Sequence, residues 1–280
     1  MNPPGELPPD LPPILAAKDY AAPSIFLPAN LLREARRQKG MAQQPIPEIC
    51  LLDPDGDIVR ALRRAGRVRP SPGWACYHTE LFEFAHEDLR CGVLGCAVGA
   101  AFAVLVAEEL FASGCRLLVS VTSAGQICPQ GEPPYFVVID RALRDEGASY
   151  HYLPPSDFAA ADPALVALAV EALRDARPPV WRGASWTTDA PFRETERAIE
   201  RARSLGILAV EMEAAALYAF ASVRNRPVLC LAHVTNRMAV DPGDFEKGED
   251  DGAQPVDMHG VPSLARLRQP VVPGARRRGS

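Results

Sequence analysis

Glu211 and Glu213 stand two residues apart, at the entry to a run that continues Ala214-Ala215-Ala216. One carboxylate there is a favourable charge against the N-terminal end of a helix dipole. Two are less well explained that way. A carboxylate carries two acceptor oxygens, so one of the pair suits a vicinal diol, as on a ribose, taking a hydrogen bond from each hydroxyl. Met212, between them, offers an apolar and polarizable surface to a sugar face.

Other polar residues follow apolar runs in the same manner. Val121 leads into Thr122-Ser123-Ala124-Gly125, Trp186 into Thr187-Thr188-Asp189-Ala190-Pro191-Phe192-Arg193, and Val234 into Thr235-Asn236-Arg237. Ligands of parallel α/β sheets bind beyond the carboxyl ends of the strands. Hydroxyl, carboxylate, amide and guanidinium groups at several such ends favour a site over ordinary loop chemistry.

The elements that would position these groups alternate. Short apolar runs at 49–52, 91–97, 117–121, 136–139, 180–186, 207–210 and 228–234 predict strands. Segments 31–39, 58–65, 100–113, 163–176, 194–205 and 214–223 predict helices, with Gly114 and Gly206 placed to stop two of them. Strand, helix and strand in succession form βαβ units. The expected fold is α/β, with a mostly parallel or mixed sheet covered on both faces. Asp53-Pro54-Asp55-Gly56-Asp57 reads as a turn after the first strand. His233, inside an apolar strand, reads as a core histidine. Glu108 and Glu109 close an amphipathic helix and are expected at its solvated face.

Composition limits the function classes. The chain has 280 residues, 48% hydrophobic and 23% charged, enough for one large α/β domain or two small ones. A net charge of -5 argues against a nucleic-acid partner. The basic triplet Arg276-Arg277-Arg278 reads as a solvated end. No apolar stretch reaches the roughly 18 residues of a membrane span, and the N-terminus lacks a signal-peptide pattern. Seven cysteines, an odd number without metal-ligand spacing, suggest reduced thiols in a cytoplasmic protein and no metal. Residues 1–47 form a proline-rich arm, flexible or wrapping, residues 48–248 the regular domain, and residues 249–280 a tail expected to be disordered.

The string Val-Glu-Met-Glu-Ala-Ala-Ala-Leu-Tyr-Ala-Phe-Ala, from position 210, closely resembles the ribose-binding signature of the purine nucleoside and uridine phosphorylases. Other pieces fall in that family's order. Ala97-Val98-Gly99-Ala100-Ala101 resembles its glycine-rich turn, and Thr122-Ser123-Ala124-Gly125-Gln126-Ile127 its central strand end. Arg144-Asp145-Glu146-Gly147-Ala148-Ser149-Tyr150-His151 is similar to a uridine phosphorylase segment. The resemblance covers about residues 48 to 248. It implies a three-layer α/β/α sandwich, assembly as a homodimer or a hexamer (trimer of dimers), and no cofactor beyond phosphate as a co-substrate. It implies that Met212 and Glu213 contact ribose, with Glu213 taking the diol. Ser123, with Gly125 in the same motif, would lie near phosphate and ribose, and Phe192, Arg193 and Arg237 near the base. Related bacterial purine phosphorylases carry an aspartate where this chain has Asn236. Asn236 cannot donate a proton as an acid does, whereas Arg237 can stabilise the charge of a departing pyrimidine. Catalytic work is therefore expected of Glu213 and Arg237.

The anion half of the site departs from that pattern. The loop after the first strand holds Asp53, Asp55 and Asp57 in place of the family's arginine. Ser120 stands where the family has a central-strand arginine, and Tyr77-His78 where a neighbouring subunit lends one. The family's histidine at the sugar's 5′ end is replaced around Phe26. Three readings follow: a pyrimidine-type nucleoside phosphorylase with a rebuilt phosphate site, a nucleoside hydrolase in which Asp55 or Asp57 activates water, and a nucleoside-binding protein without catalysis. The compact charged run Asp244-Phe245-Glu246-Lys247-Gly248-Glu249 either closes over the base or is surface.

Overall fold

A computed structural model describes residues 11–16, 18–86 and 88–237. The tail 249–280 and the run 244–249 lie outside the described residues. In chain order the elements are α1 (Pro28–Lys39), β1 (Ile49–Asp53), α2 (Asp57–Arg64), β2 (Arg69–Pro70), β3 (Leu81–His86), β4 (Leu89–Gly95), α3 (Ala100–Ala112), β5 (Leu117–Gln126), β6 (Tyr135–Asp145), β7 (Phe158–Ala160), α4 (Pro163–Ala172), β8 (Val180–Thr188), α5 (Glu196–Ser204), β9 (Ala209–Glu211), α6 (Ala214–Arg224) and β10 (Val228–Asn236). Every strand and helix expected from the sequence is present, with ends shifted by a few residues.

The strands form one mixed sheet in the order β10-β6-β8-β9-β5-β1-β4-β3-β2, with β7 beside β6. Helices cover it in the three-layer manner, so the α/β expectation holds. The sheet is mixed: β2–β3, β3–β4, β5–β9, β6–β7 and β6–β10 are antiparallel. The run that becomes β3 reads Leu-Phe-Glu-Phe-Ala-His and was not expected as a strand. It hairpins back along β4, and its buried Glu83 is neutralised by Arg69, Arg90 and the Ser71 hydroxyl. β10 pairs with both β6 and β5, so β5, β9, β8, β6 and β10 close into a ring.

One ladder decides where the site lies. β5 pairs with β1 through Leu117–Ser120, Leu52 lying opposite Ser120. On that flank pairing resumes only at Gly125, which meets Val210 of β9. Between Ser120 and Gly125 this edge of β5 faces neither strand, while its other edge stays paired with β10. A gap between diverging neighbours at the carboxyl end of a central strand is the usual ligand position in α/β sheets.

α6 is a core helix, with Ala214, Ala215, Ala216, Leu217, Tyr218, Ala219 and Phe220 all buried. It packs on α3 and on β6, β7, β8 and β10. Burying Leu217 or Phe220 stabilises the fold by about 1.5–3 kcal/mol each, and the Tyr218 hydroxyl donates to the Ile139 carbonyl at 2.6 Å. That packing holds the N-terminus of α6 rigidly against the gap. α1, in the proline-rich arm, buries Leu32 and Ala35 against Ala75 and also packs on α3. The Glu109 side chain is correspondingly enclosed, 2% exposed, and not at the solvated face expected of it. Glu108, by contrast, accepts the Tyr152 hydroxyl and pairs with Arg224.

Candidate active site

Glu211 and Glu213 have different surroundings. Glu211 Oε1 accepts the hydroxyls of Ser185, at 2.9 Å, and Thr187. Its Oε2 accepts the backbone N–H groups of Glu213 and Ala214, each at 2.7 Å. Four donors occupy this buried carboxylate. Two of them are amides that the first turn of a helix leaves without intrahelical partners. Glu211, offered from the sequence as a substrate contact, therefore has its oxygens turned into the protein, where they join β8 to the start of α6.

Glu213 faces the gap along β5. Its Oε1 accepts the Gly99 N–H at 2.7 Å, and its Oε2 accepts the Thr122 hydroxyl at 3.0 Å. Each oxygen keeps acceptor capacity beyond those bonds. Burial, with the Glu211 charge next, pushes the Glu213 carboxyl up to about 8, and the charge of Asp55 adds to the effect. Such a shift marks a group held out of water beside like charges. Met212 is partly exposed between the two glutamates.

Asp55 comes from the opposite side. Three residues beyond Leu52, it meets Ser123, three residues beyond Ser120, and its Oδ2 accepts the Ser123 N–H at 2.9 Å. Neighbouring residues of β5 thus hold two carboxylates, Thr122 the one from α6 and Ser123 the one from the β1 loop. The other loop acids are engaged locally. Asp53, pushed up to about 7 chiefly by burial, accepts the N–H groups of Gly56 and Val59 at the start of α2. Asp57 pairs with Arg60. Gly56 turns at φ 79°, where a Cβ would stand 2.7 Å from Cys96 Sγ and 2.9 Å from Arg60 Nη1. The positive φ favours glycine there and sets the path of the loop.

β10 ends beside the gap. Asn236, 7% exposed, lies opposite Gly125, and a Cβ on Gly125 would stand 3.1 Å from Val210 Cγ1 and 3.6 Å from Asn236 Oδ1. Glycine at 125 lets β9 and β10 approach. Arg237 is ion-paired with Glu132. His233 lies opposite Ser123 and stacks on Phe136 with centroids 4.5 Å apart. Burial pushes its imidazole down to about 4, consistent with a neutral packed ring. Phe192 and Arg193 project from an exposed turn, Pro191–Arg193, and Phe192 is fully solvent-accessible. The structure therefore brings Thr122, Ser123, Gly125, Met212, Glu213 and Asn236 together around the gap and leaves Phe192 and Arg193 outside it. Sequence reasoning gave no specific role to Gly99 or Thr122, although both lie in motifs that it singled out.

The anion half has the constitution its sequence suggested. Ser120 is buried, with no hydrogen-bond partner for its hydroxyl. Tyr77 and His78 line a cleft with Arg63 and Cys96 beside the β1 loop. A second anion at the Ser123 amide would meet the Asp55 carboxylate. Two unit charges 4 Å apart repel by about 4 kcal/mol at an effective dielectric of 20, and a dianion by more. Among the described residues no group of three or more His, Cys, Asp or Glu is arranged to hold a metal ion. No described helix is long and apolar enough to cross a membrane. Of the seven cysteines, Cys96 is exposed, Cys128 partly so, and the rest are buried, all of them free.

This fold and site have counterparts. The sequence model of the phosphorylase superfamily matches residues 48–257, and the chain belongs to that superfamily. It is 30% identical over 151 residues to a DeoD-type purine nucleoside phosphorylase from Myxococcus xanthus, covering 53% of this chain and 63% of that protein. The chain thus spans less than two thirds of that relative's length. A DeoD-type purine nucleoside phosphorylase from Shewanella denitrificans is 25% identical over 159 residues, covering 56% of this chain and 67% of that protein. Among solved structures, uridine phosphorylase from Vibrio fischeri superposes with a TM-score of 0.60 at 21% identity, over 69% of this chain and 80% of that one. The same enzyme complexed with 6-hydroxy-1-naphthoic acid gives 0.67 at 18% identity, over 82% and 97%. At those identities the likeness is one of fold.

Proposed function

We propose that this protein cleaves the N-glycosidic bond of a nucleoside, with a pyrimidine as the preferred base. The observation that carries the reading is Glu213. It is a buried carboxylate at the carboxyl end of the sheet, fixed by one donor on each oxygen and left with one further acceptor on each. That is the complement of a vicinal diol. Met212 lies against the sugar face, and Ser123 and Gly125 form the floor under it.

Asn236 ends β10 and Arg237 follows it, at the end where the base would sit. An amide does not protonate a leaving purine, and a guanidinium stabilises charge delocalised over pyrimidine carbonyls without transferring a proton. Phe192 and Arg193, on their exposed turn, cover the base when a nucleoside is bound. Membership of the phosphorylase superfamily supports the reaction class. The uridine phosphorylase neighbours share the fold, and the choice of base rests on Asn236 and Arg237. The protein acts as a homodimer or a hexamer (trimer of dimers) in the cytoplasm, without a metal or an organic cofactor.

The test is incubation with a panel of purine and pyrimidine nucleosides, with and without phosphate, following free base and sugar by chromatography. Release of uracil or another pyrimidine is expected. No release of any base under either condition would sink the assignment.

A further inference from the structure

We infer that the Asp55 carboxylate permanently fills the anion position of this site and that water, activated by Asp55, attacks the sugar in place of phosphate. The inference rests on the N-glycosidic reading above and names the second reactant of that same site.

Three observations carry it. The Ser123 N–H lies on the stretch of β5 edge between Ser120 and Gly125 that neither β1 nor β9 pairs, so it is the backbone donor available to an anion in the gap. That donor is already satisfied by Asp55 at 2.9 Å. Second, the placement follows from register and not from a chance rotamer. Leu52 is paired with Ser120, and the loop is constrained by the Gly56 turn and by Asp53, which accepts two amides of the same turn. Asp55 is therefore delivered to Ser123 while Asp53 and Asp57 are held elsewhere. Third, Ser120, three residues earlier on β5, presents a small buried hydroxyl and no cationic group, and the nearby Arg60 is engaged with Asp57. A phosphate dianion here would meet a carboxylate where it needs donors.

Asp55, from the β1 loop, and Glu213, at the start of α6, are held by adjacent residues of β5, Ser123 and Thr122. With the diol on Glu213, the anomeric carbon lies between the two carboxylates. Asp55 takes a proton from water as the water oxygen bonds to the anomeric carbon. The C–N bond breaks, its electron pair leaves with the base, and Asp55 returns the proton through solvent to the base. The products are free pentose and free base. Asp55 is thus a general base, and no oxidant, reductant or phosphate enters the balance.

The experiment uses the full chain and whichever nucleoside of the panel releases base fastest. Wild-type protein is expected to release base at the same rate in phosphate-free buffer and in millimolar phosphate, with free reducing pentose as the sugar product. Asp55→Asn is expected to lower kcat at least a hundredfold with KM within a few-fold, and formate is expected to restore part of the activity of Asp55→Ala. A merely structural role for Asp55 would give no formate rescue. Dependence on phosphate with pentose 1-phosphate as product overturns this inference and leaves the N-glycosidic reading standing. Phosphate-independent release that survives in Asp55→Asn overturns the role of Asp55. Absence of base release in every arm removes the N-glycosidic reading, and this inference with it. Product analysis on the wild type keeps the question decidable if a variant fails to fold.

Discussion

The Glu211 carboxylate accepts the backbone N–H of Glu213 at 2.7 Å. Two acids that look equivalent in sequence are thereby divided: one builds the turn that aims the other. The division predicts opposite phenotypes. Glu211→Ala leaves two hydroxyls and two helix-end amides without their acceptor in a buried place. Buried donors left unsatisfied cost about 1–3 kcal/mol each before relaxation, so a net loss on the order of 3 kcal/mol or more is expected in urea unfolding. A variant as stable as wild type would show that α6 does not depend on this cap.

Glu213→Ala should instead act on the ligand. A diol bound by an ionised carboxylate makes two charge-assisted hydrogen bonds, each worth about 1.5–3 kcal/mol. Their loss predicts at least a hundredfold weaker nucleoside binding by calorimetry. Binding of 2′,3′-dideoxynucleosides, which lack the diol, should change little. Equal losses for both ligands would place the ribose elsewhere.

Gly99 donates to Glu213 from a backbone conformation of φ 95° and ψ 145°. A side chain there is strained by about 1–3 kcal/mol, and relief of that strain would turn the N–H away. Gly99→Ala is expected to raise KM for nucleoside about tenfold or more, with a smaller effect on the urea midpoint than Glu211→Ala. The check is steady-state kinetics beside an unfolding curve. An unchanged KM would show that the Gly99 bond does not position Glu213.

These relationships also mark what could be read before folding. Alternating apolar runs located the helices and all but three short strands, and the Glu-Met-Glu string located one side of the gap. The roles within that string were not readable, because they depend on Ser185, Thr187, Thr122 and Gly99, which reach it only through the sheet order. β3 escaped because its buried Glu83 interrupts an otherwise apolar run, and the arginines that neutralise it lie on β2 and β4. Asp55 was readable as an unusual acid in an anion loop. Its partner Ser123 is 68 residues away and is supplied by the β1–β5 register. Phe192 and Arg193 were placed by family order alone, and their exposed turn contributes nothing to the gap as it stands.

The base end is open to a substitution that adds chemistry. Asn236 is nearly buried opposite Gly125, and aspartate is close to it in shape. Asn236→Asp supplies an acid able to protonate a departing purine. Release of hypoxanthine from inosine should rise at least tenfold relative to uracil release from uridine, read by competition in one reaction. An unchanged ratio would mean that residue 236 does not touch the base.

The Glu213 shift fixes the sign of a pH dependence. Its carboxyl is held up at about 8, chiefly by burial, against an ordinary value of 4.5. Between those values the folded protein binds more protons at this site than the unfolded chain. The stabilising contribution is therefore fully present below about 4.5 and is lost as pH rises through 8, by on the order of a few kcal/mol. Glu213→Gln removes that dependence. The variant's urea midpoint should nearly match wild type at pH 5 and exceed it at pH 8.5. Comparing the two proteins cancels the parallel contribution of Asp53, also held up, to about 7. Nucleoside binding should run the other way, strengthening in wild type as pH rises from 6 to 8, because the ionised carboxylate is the form that accepts both diol hydroxyls. Calorimetry across that range checks it. Affinity that falls with rising pH would show that the protonated acid is the binding form.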